Sequence, residues 1–243
     1  HFVGDPDYFD VPVEKLLSKE RTMELAKSIN IKKASKSTSI KPLNLIEEGR
    51  NTTHFSIIDK DGNAVSNTYT LGYSFGSGVT IPGTGVLLNN QMNNFAYSYG
   101  DKAERGRAAS FGNKFEPGKK PMSTMAPVMV FDRNNELSLI TGSPGGSLIP
   151  AAILRVLTGV IDFDLNIGEA TMLTRVHKDW PALGIRYEKT LTPIVVKRLK
   201  DMGHGATSDK TMGSTQSIHI IDGVNYGYSD LRRPGAGVSI QPN

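Results

Sequence analysis

The chain changes character at residue 52. Upstream, residues 29–50 are polar and poor in aromatic side chains, with the run Lys32-Lys33-Ala34-Ser35-Lys36-Ser37-Thr38-Ser39. A stretch with so little apolar surface reads as exposed linker, the kind of segment in which chains are cut. Downstream, the pattern becomes that of strands. His54–Asp59 and Ala64–Leu71 flank Lys60-Asp61-Gly62-Asn63, and an Asp-Gly pair between two such runs predicts a hairpin. Two more hairpins are expected, residues 129–132 with 137–141 around Arg133-Asn134-Asn135, and 217–221 with 224–229 around Asp222-Gly223. Helical periodicity marks Val11–Lys27, Ile149–Ile161, Asn166–Arg175 and Leu191–Met202, the last stopped by Gly203. Hairpins and helices come in groups rather than in strict alternation. That ordering predicts an α+β fold on antiparallel sheet.

Composition narrows the function classes. Of the 243 residues, 38% are hydrophobic and 21% charged, a composition of folded chains with an ample core. No run of about 18 apolar residues exists, so no membrane-spanning helix is expected. Cysteine is absent, which excludes disulfides, thiolate metal sites and a cysteine nucleophile. Lys plus Arg number 28 and Asp plus Glu 24, a net charge of +4. The positive charge is scattered in short clusters such as Lys119-Lys120 and Arg232-Arg233, without interleaved aromatics, which argues against nucleic-acid binding. The five histidines show no metal-ligand spacing on a helix. No metal and no cofactor are therefore expected. The first residue is His1 rather than Met, and the chain is expected to begin inside a longer precursor.

Five stretches carry candidate chemistry. Gly76-Ser77-Gly78 and Gly83-Thr84-Gly85 lack the Gly-Lys-Ser/Thr ending of a phosphate loop and read as turns. Gly72-Tyr73-Ser74-Phe75-Gly76 has the five-residue pattern of a serine-hydrolase elbow. That motif needs a helix directly after the serine, and Gly76, Gly78, Pro82 and Gly83 forbid one. Ser143-Pro144-Gly145-Gly146-Ser147 precedes a helix. Two glycines let main-chain N–H groups approach a ligand, as in an oxyanion pocket, although on local grounds a plain helix-entry turn fits as well. Finally, an apolar run ends in Asn89-Asn90-Gln91-Met92-Asn93-Asn94, where five amides could hold a polar ligand or simply form a loop.

These motifs, in this order, resemble the γ-glutamyltranspeptidase family of N-terminal-nucleophile hydrolases. The carrying residues are Thr52-Thr53-His54-Phe55-Ser56, Asp59–Val65, Thr68-Tyr69-Thr70, Leu87–Met92, Pro121–Met125, Gly142–Ser147 and Gly213-Ser214-Thr215-Gln216-Ser217. Residues 1–51, with Gly4-Asp5-Pro6-Asp7, resemble the tail of the family's large subunit, and residues 52–243 a complete small, catalytic subunit. The resemblance implies a four-layer αββα sandwich and a zymogen that cleaves itself between Asn51 and Thr52. The freed Thr52 would be the nucleophile, oriented by Thr70, with Gly145 and Gly146 as oxyanion donors. Ser123 and Thr124 would bind the substrate α-carboxylate, and Gln91 and Asn94 its α-amino group. The implied reaction is γ-glutamyl transfer or hydrolysis on glutathione and related γ-glutamyl amides, with water, an amino acid or a peptide as acceptor. The implied partner is the large subunit of the same precursor, which in the family supplies an arginine to the substrate carboxylate. Periplasmic or secreted placement follows from the resemblance alone.

Three positions depart from the family pattern. Asn93 and Asn94 stand where acids are usual, and Gly72 where an asparagine is usual. Losing a carboxylate opposite the substrate's ammonium removes a charge-assisted hydrogen bond worth about 1.5–3 kcal/mol. A glutaryl or cephalosporin acylase of the same family is therefore an alternative expectation, and a non-catalytic binding homologue another. A serine hydrolase on Ser74 is the reading the sequence disfavours.

Overall fold

The computed structural model describes residues 3–35, 52–96, 111–179, 184–237 and 239. The chain forms an α+β structure in two compact units. One comprises residues 1–47, 91–123 and 178–208, the other residues 48–90, 124–177 and 209–243. Most of the linker expected over residues 29–50, and the residue Asn51, lie outside the described residues. Among the described residues, no helix is long and apolar enough to cross a membrane.

The first unit begins with the helices α1 (Val13–Leu17) and α2 (Lys19–Ser28). The sequence periodicity predicts one helix over 11–27, but Ser18 divides it. Its backbone is extended (φ −64°, ψ 145°) and its Oγ accepts from Arg21 N at 3.2 Å. A serine that caps a helix satisfies an orphan N–H at the cost of interrupting the one before it. Further along, Gln91–Asn94 and Phe111–Asn113 are 3-10 turns. Phe95 packs edge-on against Phe115, and buried Asn113 donates to the Asn94 carbonyl at 2.7 Å.

The second unit holds the hairpin β1 (Thr52–Ile58) and β2 (Ala64–Thr70), in register from Thr52↔Thr70 to Ile58↔Ala64. Its turn is built on Asp59. One carboxylate oxygen accepts from Asp61 N and Asn63 N, each at 2.9 Å, and the other from Asn63 Nδ2 at 2.8 Å. Asx turns of this kind are why Asp and Asn occupy such positions. A four-stranded antiparallel sheet follows, composed of β3 (Val128–Phe131), β4 (Leu137–Thr141), and two strands near the C-terminus. Between them in sequence come α3 (Ile149–Ile161), α4 (Ile167–Met172) and the two-residue strand β5 (Val176–His177). In the first unit, β6 (Gly184–Glu188) and α5 (Pro193–Asp201) follow, and β7 (Gly205–Asp209) ends one residue past its boundary; the two strands were not expected from the sequence. The second unit then closes with β8 (Gln216–Ile221) and β9 (Val224–Ser229), which complete the order β3-β4-β8-β9.

The apolar core lies between this sheet and its helices. Leu139 of β4 packs with Val156 and Val160 of α3 and Ile167 and Ala170 of α4, with Val130 and Tyr228 at the margin. The apolar positions of α3 recur at helical spacing, which turns one face to the sheet. Asn166 caps α4 with a reciprocal pair of bonds to Glu169, and the helix ends at Leu173, whose backbone turns extended.

Candidate active site

Thr52 opens β1 and is 9% exposed. The hairpin register sets it directly opposite Thr70, and its hydroxyl donates to Thr70 Oγ1 at 3.3 Å. Thr70 Oγ1 also accepts from Gly72 N at 2.9 Å, so the partner hydroxyl is itself oriented by main chain. In an antiparallel pair, opposed side chains share a face. Thr70, expected from the resemblance to orient Thr52, is the residue that faces it across the hairpin.

β4 delivers the chain from Thr141 into Gly142–Ser147, ahead of α3. Gly145 and Gly146 have φ of 139° and 59°, conformations that favour glycine. This loop meets a second one. Ser143 Oγ accepts from Ser214 N at 3.0 Å and donates to Pro144 O at 2.7 Å. A Cβ at Gly145 would come within 3.4 Å of Gly213 Cα. A cavity of about 340 Å³ is lined by Thr52–Ser56, Pro144, Ser214, Gln216 and residues 233–236. Thr52 thus shares a cavity with the residue next to Gly145, although the two are distant in sequence.

The residues expected to bind substrate are divided between the two units. Gln91, Asn94 and Ser123 belong to the first unit and Thr124 to the second. Asn94 is buried and its Nδ2 donates to Gln91 Oε1. Ser123 is exposed and Thr124 half-buried. Gly72, at φ 90°, leaves room that Asn90 takes. A Cβ there would overlap Asn90 Oδ1, which accepts from Tyr73 N at 3.1 Å. Ser74 is exposed and no helix follows it, so the elbow pattern is a turn.

Behind the loop lies an ionic cluster that the sequence reading missed. Asp230, fully buried, accepts from Arg175 Nη2 at 2.6 Å, Thr215 N at 2.9 Å and Arg232 N at 3.0 Å. Arg175 also donates to Met212 O at 2.6 Å and Thr171 O at 3.2 Å. Burial alone would raise the Asp230 pKa. The Arg175 guanidinium, the two backbone N–H groups and Arg232 outweigh it and hold the carboxyl below its usual range. The cluster clamps residues 212–215 against the Ser143 loop. No local signal could have revealed it, because Arg175 and Asp230 are 55 residues apart. Among the described residues, no group of three His, Asp or Glu side chains could hold a metal ion.

A threonine hydroxyl at a strand's start, a hydroxyl partner across the hairpin and a glycine loop beside the same cavity define a site suited to acyl transfer through a threonine. The chain belongs to the gamma-glutamyltranspeptidase family, whose model matches residues 1–240. It is 41% identical over 233 residues to the glutathione hydrolase proenzyme of Escherichia coli K12, covering 95% of this chain and 40% of that protein. With the glutathione hydrolase proenzyme of Pseudomonas aeruginosa, identity is 38% over 248 residues, 99% of this chain and 43% of that protein. The chain therefore spans about two fifths of the length of these relatives. Its structure is similar to that of gamma-glutamyltranspeptidase from Pseudomonas nitroreducens complexed with L-DON. There the TM-score is 0.71 at 42% identity, over 78% of this chain and 100% of that chain. A cephalosporin acylase from Bacillus halodurans superimposes at a TM-score of 0.77 and 27% identity, over 95% of this chain and 40% of that chain.

Proposed function

We propose that this chain carries the catalytic part of a γ-glutamyltransferase that also acts as a glutathione hydrolase, with Thr52 as nucleophile once the bond after Asn51 is cut. The observation that carries the reading is the Thr52–Thr70 pair in register at the mouth of a cavity shared with Pro144 and Ser214. The names of the relatives, glutathione hydrolase proenzymes among them, support the substrate class and the cleavage step.

The chemistry follows from the groups present. An α-amino group has a pKa of about 7.7–8.0 and can take the Thr52 hydroxyl proton near neutrality. The oxygen attacks the γ-carbonyl of the donor, and the resulting oxyanion is held by the N–H groups of Gly145 and Gly146. The intermediate collapses with the proton passing to the leaving amine, which leaves a γ-glutamyl ester on Thr52. Water or an acceptor amine then attacks that ester, its proton passes back through the same amine, and Thr52 is regenerated. Gln91 and Asn94 bind the donor's α-amino group, and Ser123 and Thr124 its α-carboxylate.

The partner is the remainder of the precursor. One face of the β1–β2 hairpin exposes Phe55, Ile57, Val65 and Tyr69, each between 41% and 62%. A sheet face so apolar is covered in a complete protein. In this reading residues 1–51 end the large subunit, residues 52–243 form the small one, and the whole is a four-layer αββα sandwich. The solved Pseudomonas nitroreducens chain, wholly covered by 78% of this chain, supports that division. Placement outside the cytoplasm belongs to the same proposal.

A second reading concerns the acyl group. Asn94, buried against Gln91, offers an uncharged amide pair where a carboxylate would attract an ammonium. A glutaryl donor, which lacks that ammonium, loses less in such a site. The similarity to a cephalosporin acylase favours testing it. Expression of the full-length precursor, followed by N-terminal sequencing and intact mass, decides the first reading: a new terminus at Thr52 supports it, and a folded, uncut chain refutes it. Comparing kcat/KM for γ-glutamyl and glutaryl anilides decides the second, which fails if the γ-glutamyl donor leads by a hundredfold.

A further inference from the structure

The inner face of the catalytic hairpin is polar from Thr52 to Ser56, and only the pair beside the turn, Ile58 and Ala64, is apolar. Thr52, His54 and Ser56 point to one side of β1, and their register partners on β2 are Thr70, Thr68 and Ser66. Thr52 and His54 are buried and the other four half-buried, which is costly unless each is satisfied. At the far end, Ser56 Oγ donates to Gln216 O at 2.9 Å and Ser66 Oγ donates to Thr141 O at 3.2 Å. These bonds attach the hairpin to the start of β8 and to the end of β4. At the near end sits the Thr52–Thr70 pair.

His54 joins the two ends. It is 5% exposed, with Nδ1 2.9 Å from Thr68 Oγ1 and Nε2 3.2 Å from Ser56 Oγ. The proton of Ser56 is committed to Gln216 O, so Ser56 accepts from the imidazole. Nε2 therefore carries the hydrogen, and Nδ1 accepts from the Thr68 hydroxyl. The chain of donors runs in one direction from β2 through β1 to β8. Burial holds the ring neutral, with its pKa pushed down to about 4. A Cβ at Gly142 would overlap the His54 ring. The ring thus rests on the residue that opens the oxyanion loop, three positions before Gly145.

We propose that His54 is a positioning residue, whose Nε2–H tautomer between Thr68 and Ser56 fixes the Thr52 hydroxyl relative to the Gly145–Gly146 loop. Both of its ring nitrogens are engaged by Thr68 and Ser56, so it acts through the hairpin rather than on the reacting atoms. It sets the height of β1 against β4, and a displacement of that kind costs rate rather than substrate affinity. The inference rests on Thr52 as the nucleophile.

Two measurements on the full-length protein test it. In protein labelled with ¹⁵N-histidine, the resonance missing from His54→Gln identifies the ring. It should show the neutral Nε2–H signature and hold it down to pH 5. An Nδ1–H signature, or titration near 6.5, overturns the tautomer. In kinetics, Thr68→Val keeps the shape and removes the donor to Nδ1, while Ser56→Ala removes the acceptor. Each should lower kcat about tenfold or more, the scale of one lost hydrogen bond, with KM within twofold, in protein that still unfolds cooperatively. Thr68→Ser, which restores the hydroxyl, should recover most of the loss. Unchanged kcat in folded Thr68→Val, or no rescue by Thr68→Ser, sinks the proposal. If Thr52→Ala is still cut and active, the nucleophile assignment fails instead, and the tautomer measurement still stands by itself.

Discussion

Two faces of the second unit solve opposite problems. Between β4 and the helices α3 and α4, Leu139, Val156, Val160, Ile167 and Ala170 form a dry apolar core. On the inner side of β1 and β2, Thr52, His54, Ser56, Ser66, Thr68 and Thr70 form a polar ladder. Apolar burial is non-directional and roughly proportional to area, so the first face contributes stability and tolerates small shifts. Hydrogen bonds between short side chains tolerate none. The second face contributes little net stability and fixes position. The lesson is that Thr52, the proposed nucleophile, is mounted on the part of the unit that specifies geometry, and held up by the part that does not.

This contrast can be broken at several strengths. Thr52→Ala should lower kcat by about 10⁴-fold or more, as loss of a covalent nucleophile does, with thermal unfolding almost unmoved. Asp230→Ala should be the largest blow to stability, about 3–5 kcal/mol by denaturant unfolding, because it leaves Arg175 buried without its carboxylate. Leu139→Ala should cost about 2–5 kcal/mol, while the folded fraction keeps its kcat. A Leu139→Ala protein with wild-type stability and impaired kcat would erase the distinction between the faces.

Acid separates the two regions by window. Folding lowers the His54 pKa from 6.5 to about 4, so the unfolded chain binds the extra proton first. The stability that this difference takes away appears as pH falls from about 6.5 to about 4, and totals about 3 kcal/mol at its limit. Asp230 is also lowered, but from 3.8. As a carboxylate, its contribution is present above that value and is lost as pH falls below it. Stability curves of wild type and His54→Gln should therefore converge between pH 6.5 and 4, and those of Asp230→Asn should differ from wild type mainly above pH 4. At the small end, Lys60→Ala removes an exposed pair with Asp61 at 2.7 Å and should change stability by less than about 0.5 kcal/mol.

Legibility in the sequence followed the range of the interactions. The Asp59–Asn63 turn and helix α3 were readable because their determinants are local: Asp-Gly chemistry in one, a 13-residue apolar periodicity in the other. Thr52, Thr70, Gly145 and Gly146 came from resemblance, and the Thr52–Thr70 pairing is visible in the hairpin register. The split at Ser18 was hidden because a cap and a helix-interior serine look alike until the backbone is known. Strands β6 and β7 are weak signals in the sequence: Gly-Ile-Arg-Tyr-Glu alternates over only four residues, and Gly-Ala-Thr-Ser-Asp has no large apolar side chain to mark a face. The Arg175–Asp230 cluster joins distant residues, and no spacing encodes it.

The Asp59 turn sets more than a hairpin. Side chains in a strand alternate with a period of two, and in β1 the odd and even positions carry opposite characters: Thr53, Phe55 and Ile57 outward, Thr52, His54 and Ser56 inward. Adding or deleting a single residue between Ile58 and Ala64 would shift the reading frame of the strand against its partner. Tyr69 rather than Thr70 would then stand across from the Thr52 hydroxyl. The loop lies six residues from Thr52, about 20 Å along an extended strand. It acts as the counting device of the site, and the length of a surface turn becomes as strict a requirement as the identity of the residue at position 52.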